Sequence, residues 1–234
     1  MIEAVVMAAG EGVRLRPLTE RWPKPVLPID GRAVLATLLR ELAAAGCPRA
    51  TIVTGHLAEQ VEALAGDGSG FGLELAYARQ PSADGSADAV RLALAAGTAT
   101  PCVVTVADTV FRPGDVGRFA DEAAARGTAG AMAVRRDPPP GAGIAAVRVE
   151  NGLVTRVPDE DPANPLAAAS LWVLGPELEP YLDRIAGPPY ELAAAYQQAI
   201  DDGLGVSGIE IGSTRDLTDP LDLVEENFPY LRSR

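Results

Sequence analysis

The chain has 234 residues, of which 47% are hydrophobic and 22% charged, and its formal net charge is −12. This composition indicates a folded protein of one α/β domain, and the negative charge disfavours a nucleic-acid partner. No apolar run reaches the ~18–20 residues of a membrane helix, and the N-terminus lacks the basic region of a signal peptide. Since two cysteines give neither a disulfide framework nor a metal cluster, we expect a cytoplasmic protein with no membrane partner.

The first half of the chain alternates short apolar runs with helical patterns. Strands are predicted at residues 3–9, 50–54, 73–78 and 103–107, and helices at 33–45, 57–64 and 86–96. Helical crossovers between strands indicate a parallel sheet that is covered on both faces. The predicted fold class is therefore a three-layer α/β/α sandwich with a Rossmann-like sheet.

This alternation of apolar runs and helical patterns changes after about residue 130. Strands are predicted at residues 131–136, 169–174 and 206–211, and helices near 177–185 and 190–201, with a proline-rich loop at 137–143. Asn151-Gly152 is typical of a hairpin turn, which adds antiparallel strands. Asp219 and Pro220 predict the start of a last helix through residue 227. The expected result is a mixed sheet in a single domain of residues 1–234.

Residues 8–25, AAGEGVRLRPLTERWPKP, are the most informative stretch. Gly10 and Gly12 follow the first strand, where glycine lets backbone N–H groups approach phosphate oxygens. The stretch lacks the third glycine of a dinucleotide fingerprint, and the second strand ends in IVTGH without an acidic residue, which excludes NAD binding. Lys24 is the only lysine among 20 lysines and arginines, and the prolines on either side of it stiffen the backbone.

This stretch resembles the signature of the sugar-phosphate nucleotidyltransferases, which is close to L-A-A-G-x-G-T-R-L-R-P-L-T followed by P-K-P. The resemblance implies a GT-A-like nucleotidyltransferase fold with a nucleotide-binding half, residues 1–130, and an acceptor half, residues 131–234. It also implies that Arg14 contacts the β- and γ-phosphates and that Lys24 lies near the α-phosphate, where a compact ammonium group fits between two phosphates. The loop residues that would wrap the triphosphate are Ala8, Ala9, Gly10 and Gly12.

Residues 79–90, RQPSADGSADAV, resemble the Q-P-x-x-x-G-x-A-x-A segment of the thymidylyl- and uridylyltransferases. The resemblance implies that the amide of Gln80 pairs with the base edge and that Gly85 leaves room for the ring. An amide offers a donor and an acceptor, which suits O4 and N3–H of uracil or thymine. Taken alone, Gln80 is better explained as a polar loop residue, and the match to the first motif reverses that preference.

Two aspartates match the family's magnesium ligands. Asp108 ends an apolar strand, and Asp216 begins DLTDPLDL, which resembles the family's D-I-x-T-P-x-D-L. Mg²⁺ prefers hard oxygen ligands and commonly uses one or two carboxylates together with substrate phosphates. The resemblance therefore implies a Mg²⁺ cofactor, although a turn aspartate and a solvated charge are the structural alternatives.

The match is weaker on the acceptor side. The family's second lysine, in an E-K-P-like segment, has no counterpart in residues 156–162, RVPDEDP, which leaves Arg148 and Arg156 as candidates. Ser170 stands near the family's sugar-binding N-x-G, and Glu191 resembles an acidic residue that contacts sugar hydroxyls. A helix-start carboxylate explains Glu191 equally well.

These features predict transfer of a nucleoside monophosphate, from UTP or dTTP in preference, to a sugar 1-phosphate, giving a nucleotide sugar and pyrophosphate. A non-catalytic nucleotide-binding regulatory homologue and a cytidylyltransferase for choline phosphate or inositol phosphate are the alternatives, and a homo-oligomer stays open. A glycosyltransferase usually has Asp-x-Asp, whereas Thr109 and Val110 follow the first aspartate. The remaining conspicuous side chains are predicted to be structural: His56, Trp22, Trp172, Cys47 and Cys102.

Overall fold

The computed structural model describes residues 2–136, 145–161 and 163–228. The strands in this part of the chain are β1 Glu3–Ala8, β2 Pro28–Ile29, β3 Arg32–Ala33, β4 Arg49–Thr54, β5 Glu74–Arg79, β6 Cys102–Val106, β7 Thr109–Val110, β8 Gly130–Arg136, β9 Arg148–Glu150, β10 Leu153–Arg156, β11 Leu166–Leu174, β12 Val206–Glu210 and β13 Arg215–Asp216. The helices are α1 Val34–Ala44, α2 Ala58–Ala65, α3 Ser86–Ala95, α4 Asp115–Arg126, α5 Leu192–Asp201 and α6 Pro220–Asn227.

Nine of the described strands form the main sheet, in the order β5-β4-β1-β6-β11-β8-β12-β10-β9. The first four run parallel, while β11 runs antiparallel to both β6 and β8. The carboxyl ends of β1, β4, β6 and β8 consequently meet at one edge of the sheet, where open α/β folds bind ligands. The predicted mixed sheet in an α/β fold is confirmed, and this sheet includes strands from both halves of the chain.

Helices cover both faces of the sheet, which explains why its central strands are mostly apolar and buried. One core cluster packs Leu38 and Leu39 of α1 and Phe119 of α4 against one face, and the other packs α3 and α5 against the opposite face. Tyr196 of α5 is fully buried, and its hydroxyl donates a hydrogen bond to the Val173 carbonyl at 2.8 Å. Burying each such large side chain contributes about 1.5–3 kcal/mol to folding.

Several elements differ from the sequence-based expectation. Helix α4 is not predicted, although Val116, Phe119, Ala120 and Ala123 follow helical spacing and are buried. The helix expected near residues 177–185 is a 3-10 helix, Pro176–Asp183, with a proline inside it. An internal proline cannot donate the backbone hydrogen bond of an α-helix, which accounts for the tighter form.

Other local predictions are confirmed. Asn151 and Gly152 both have positive φ and join β9 to β10 as a hairpin. Asp219 caps α6 by accepting from the Leu221 and Asp222 backbone N–H groups. The predicted proline-rich loop at 137–143 lies outside the described residues.

The cysteines are buried as predicted, but one tryptophan is not. Burial raises the pKa of the Cys47 thiol to about 11 and that of Cys102 to about 12, so both stay protonated near neutral pH. Trp172 packs against the second core cluster, whereas Trp22 is 48% exposed, so the expected packing role is confirmed for Trp172 alone. None of the helices in the described part is long and apolar enough to span a membrane.

A small separate core joins the loops at the ligand edge. It contains Leu15, Leu27, Ile29, Val34 and Leu217, all buried, with Leu223 of α6 packed against it. Arg215 of β13 bonds to the Asp30 carboxylate at 2.5 and 2.9 Å and also to Glu226. These contacts tie the segment after β1 to β13 and α6, which are far away in sequence.

Candidate active site

A pocket of about 390 Å³ opens at the carboxyl edge of β1 and β6. Nine of the residues predicted for the site line it: Ala8, Ala9, Gly10, Gly12, Arg14, Lys24, Gln80, Gly85 and Asp108. These residues come from four separate segments of the chain, and the sheet edge brings them together.

The loop after β1 makes a tight turn at Gly12 that side chains of Thr19 and His56 hold in place. Gly12 has φ +62, and a side chain there would come within 2.9 Å of the Thr19 methyl group. Thr19 Oγ1 donates to the Gly12 carbonyl at 2.9 Å, and His56 Nε2 donates to the Thr19 carbonyl at 2.6 Å. His56 is thus a brace for the loop, which agrees with the structural role expected of it.

Lys24 and Asp108 meet at the floor of the pocket. Lys24 starts a 3-10 turn, Lys24–Val26, behind the extended Pro23, and its Nζ donates to Asp108 Oδ2. The lysine side chain is 15% exposed and the aspartate side chain 28% exposed. Because the pair is partly solvated, each partner can turn to a bound phosphate or cation without leaving the other buried and unpaired.

Asp216 lies beside Asp108 because β13 pairs with β7, with Asp216 opposite Thr109. Its oxygens accept hydrogen bonds from Thr109 Oγ1 at 2.5 Å and from Thr214 Oγ1 at 3.1 Å. Burial is the main cause that raises the pKa of Asp216, and the negative charge of Asp108 adds to it. The two carboxylates are therefore close enough to repel each other.

This arrangement fits a magnesium ion that is also held by substrate. The described residues contain no group of three or more acidic, histidine or cysteine side chains able to hold a metal alone. A carboxylate oxygen accepts two hydrogen bonds or ligand bonds, so Asp108 and Asp216 retain coordinating capacity. Two carboxylates complemented by phosphate oxygens and water match the usual Mg²⁺ site.

Arg135 of β8 belongs to the same cluster, and sequence reasoning missed it. Its side chain is 4% exposed, and its guanidinium donates to Thr214 and, at 3.4 Å, to Asp216 Oδ2. Its Nε is buried with no hydrogen-bond partner among the described residues. The sequence signal was an arginine in an otherwise apolar strand, AMAVRR, where a buried charge needs a partner.

Gln80 is 5% exposed, and its amide has a fixed orientation. Nε2 donates to Asp88 Oδ2 at 2.8 Å and to the Gly85 carbonyl at 3.0 Å. Both partners only accept hydrogen bonds, so the nitrogen must face them. The donor that sequence reasoning assigned to O4 of uracil or thymine is thus engaged within the protein.

Gly85 also has a packing role. Its φ is +111, and a side chain there would run into the backbone of Tyr190. Ala87 N donates to the Tyr190 carbonyl at 2.8 Å, and Tyr190 N donates to the Asp84 carbonyl at 2.6 Å. The segment before α5 therefore forms a wall behind the loop that carries Gln80.

The predicted acceptor residues in the described chain are not among those that line this pocket. Glu191 precedes α5 and accepts a hydrogen bond from Ser86 Oγ at 2.8 Å. Ser170 has φ +54 where the pairing of β11 shifts register, and its carbonyl accepts from Thr105 Oγ1 at 2.9 Å. Arg148 pairs with Asp159 at 2.9 Å, and Arg156 is exposed on β10.

The pocket wall also contains residues that are absent from the sequence-based prediction, and two of them follow Asp216. Leu217 and Thr218 line the pocket directly after Asp216. Leu217 also belongs to the small core with Leu15. They could have been predicted because they directly follow Asp216, a predicted metal ligand. A loop that places one side chain at a site also places its sequence neighbours close to that site.

The chain is similar to known proteins in sequence and in fold. Residues 3–204 match the family model described as nucleotidyl transferase. The chain is 29% identical, over its full length and 67% of the relative, to a low-salt glycan biosynthesis nucleotidyltransferase of Haloferax volcanii. It is 33% identical to a CMP-5'-(3-aminopropyl)phosphonate synthase of Streptomyces rubellomurinus, with 88% of this chain but 34% of the relative covered.

A solved structure shows the same fold. The crystal structure of a putative glucose-1-phosphate thymidylyltransferase from Bacillus anthracis superposes with a TM-score of 0.85 at 19% identity, covering 97% of this chain and 94% of that one. At this identity the likeness shows the fold. The chain spans about two thirds of the first of the two curated relatives and about one third of the second.

Proposed function

Since this chain belongs to the nucleotidyl transferase family, we propose that it transfers a nucleoside monophosphate from a nucleoside triphosphate to a phosphorylated sugar or alcohol and releases pyrophosphate. The observation that carries this proposal is the Lys24–Asp108 pair in the pocket beneath the glycine loop. The pair sets a cation and a carboxylate beside the place where the loop can hold phosphates.

Different residues of the pocket bind the leaving group and the attacking group. The backbone N–H groups around Gly10 and Gly12, with the exposed Arg14, hold the β- and γ-phosphates that leave as pyrophosphate. Lys24 turns from Asp108 to the α-phosphate and the incoming phosphate, and offsets the repulsion between two anions. Holding both reactants in line converts a bimolecular step into a unimolecular one.

Asp108 and Asp216 are the residues that would hold Mg²⁺ against the triphosphate. When bound, the ion supplies positive charge to the phosphate oxygens during displacement at the α-phosphorus. Arg135 and two threonines keep Asp216 oriented for this purpose. When Lys24 turns to phosphate, the carboxylate of Asp108 would be available to hold Mg²⁺.

The reaction needs little general-base catalysis. A phosphate monoester has its second pKa at ~6, so its oxygen is already a nucleophile at neutral pH. His56 is used in bracing the loop and does not line the pocket of the described chain. Positioning and electrostatics therefore supply the rate.

The acceptor is an anion that offers a phosphorus-bound oxygen. A sugar 1-phosphate follows from the sequence motif, and phosphorylated alcohols or phosphonates are supported by the CMP-5'-(3-aminopropyl)phosphonate synthase among the relatives. The motif around Gln80 favours UTP or dTTP, while the engaged Nε2 of that residue favours CTP. Either nucleotide preference is compatible with the same nucleotidyl transfer reaction.

The test is a matrix of pyrophosphate release. The four ribonucleoside triphosphates and dTTP are each combined with sugar 1-phosphates, phosphocholine, inositol phosphate and a small aminophosphonate, with Mg²⁺ and with EDTA. We expect magnesium-dependent release with at least one pair. Nucleotide binding without release in any combination would indicate a non-catalytic role, and sugar transfer from a finished nucleotide sugar would indicate a glycosyltransferase.

A further inference from the structure

We propose that Asp88 sets the base preference of this site, by engaging one N–H group of Gln80 and fixing the orientation of its amide so that the pocket selects cytosine over uracil and thymine. The inference rests on the proposed function, because it assumes that the base lies against Gln80. It adds Asp88 to the proposed site as a residue that determines specificity, and it identifies CTP as the preferred nucleotide.

The hydrogen bonds of Gln80 leave one polar atom for a ligand. Both amide hydrogens are used, one by Asp88 Oδ2 at 2.8 Å and one by the Gly85 carbonyl at 3.0 Å. Oε1 accepts no hydrogen bond from the described residues and is not sealed in the interior, and the residue lines the pocket. Gln80 therefore presents an acceptor and no donor to whatever occupies the pocket.

The orientation of the amide is locked from behind. Arg91 NH2 donates to Asp88 Oδ1 at 2.8 Å, so one carboxylate oxygen serves the arginine and the other serves Gln80. If the amide were flipped, Oε1 would face the Asp88 carboxylate and the Gly85 carbonyl. All three are hydrogen-bond acceptors, so that orientation is unfavourable. The chain from Arg91 through Asp88 to Gln80 polarises the amide and strengthens Oε1 as an acceptor.

An acceptor alone distinguishes the pyrimidines. Cytosine carries an amino group at position 4, and that donor is flanked by one acceptor, N3, and by a C–H group. Uracil and thymine carry their donor, N3–H, between two carbonyl oxygens, O2 and O4. Oε1 of Gln80 therefore meets a donor at the edge of cytosine, whereas in uracil or thymine it also approaches at least one carbonyl oxygen. An unmatched polar contact of this kind changes affinity by roughly tenfold to a hundredfold.

The experiment measures nucleotide affinity rather than turnover. Dissociation constants of CTP, UTP and dTTP, with Mg²⁺, are determined by calorimetry on the full chain and on the Asp88→Ala, Asp88→Asn and Asp183→Ala variants. We expect the unaltered protein to bind CTP at least about tenfold more tightly than UTP or dTTP. Asp88→Ala releases one N–H of Gln80 and should narrow the preference to within about threefold.

The other two variants separate the effect of the Gln80 amide orientation from the effect of a carboxylate charge near Arg91. Asp88→Asn keeps an oxygen for Gln80 Nε2 and should retain part of the preference, which also serves if the alanine variant fails to fold. Asp183 is the matched control, because it is an exposed carboxylate that pairs with the same Arg91 at 3.2 Å and its hydrogen bond does not involve Gln80. Asp183→Ala should leave the preference unchanged.

Failure of this inference and failure of the proposed function give different results. A preference for UTP or dTTP in the unaltered protein overturns the role of Asp88 and leaves nucleotidyl transfer standing. A preference for CTP in both Asp88 variants that is as large as in the unaltered protein does the same. Tight CTP binding with no pyrophosphate release overturns the proposed function and leaves the base preference standing. If no triphosphate binds, both are overturned.

Discussion

The nucleotide side and the acceptor side of the molecule contrast in how the structure places their predicted residues. The glycine loop, Lys24, Gln80 and Asp108 all line one pocket. Ser170 and Glu191 do not line it and are engaged in contacts that hold the fold, although the partner of Glu191, Ser86, is a pocket residue. The difference teaches that a contiguous motif specifies a backbone shape together with its side chains, whereas an isolated side chain is specified only by the tertiary structure around it.

The nucleotide side is organised by packing between distant segments. Leu15 follows the glycine loop, Leu27 follows the lysine turn, and Leu217 follows Asp216, and all three meet in the small core under the pocket. Burying them together fixes the relative positions of the loop, the lysine and the carboxylate. The acceptor side has no equivalent small cluster among the described residues.

The largest effect is expected for Lys24→Ala. Removal of the single ammonium group leaves Asp108 without its cation and the reacting phosphates without charge compensation, so kcat/KM should fall roughly 10²- to 10³-fold. The measurement is pyrophosphate release under conditions where the unaltered enzyme is active. Arg21→Ala removes an exposed cation from the same segment and should have less than a twofold effect; near-normal turnover in Lys24→Ala would contradict the placement of the reaction at this pocket.

Arg135→Met should come next, because it removes a buried cation from the carboxylate cluster. Asp216 would lose its charge partner, and we expect a stability loss of about 3 kcal/mol and a kcat/KM roughly tenfold lower that is partly restored by excess Mg²⁺. Urea unfolding and magnesium titrations of activity measure the two effects. Arg135→Lys keeps the charge and should recover most of the stability; equal Mg²⁺ dependence in all three proteins would show that Arg135 serves folding alone.

The sequence predicts much of the fold because the signals are local. Apolar runs and helical spacing give β1, β4 to β6 and their helices, and Asp219 followed by Pro220 gives the start of α6. The site residues of the motif segments come together because the carboxyl ends of parallel strands share an edge. The partners of Arg135 and the fixed orientation of the Gln80 amide could not be predicted, since they depend on residues that the strand pairing and the loop conformation bring near.

On the acceptor side, Glu191→Gln tests whether this carboxylate binds substrate directly. In the structure Glu191 holds Ser86, a pocket residue, so the change should raise the KM of the acceptor less than about threefold and lower stability by about 0.5 kcal/mol. Initial rates over a range of acceptor concentrations at saturating nucleotide measure it. A rise of tenfold or more in KM, with stability unchanged, would place Glu191 at the acceptor and remove the contrast between the two sides.

The smallest effect is expected for Ser170→Gly, and its sign is the informative part. Ser170 has φ +54 in β11 between the register positions of Ala168 and Trp172, a left-handed conformation that costs a residue with a side chain about 1–2 kcal/mol. Glycine adopts this φ without that cost but loses about 0.5–1 kcal/mol through the greater freedom of the unfolded chain. The net result should be a gain of about 0.5 kcal/mol in urea unfolding, while Ala168→Gly on the same strand should lose about as much. If Ser170→Gly instead destabilises the protein and raises the KM of the acceptor, the hydroxyl contributes to binding, and the acceptor site then extends to this bend in β11.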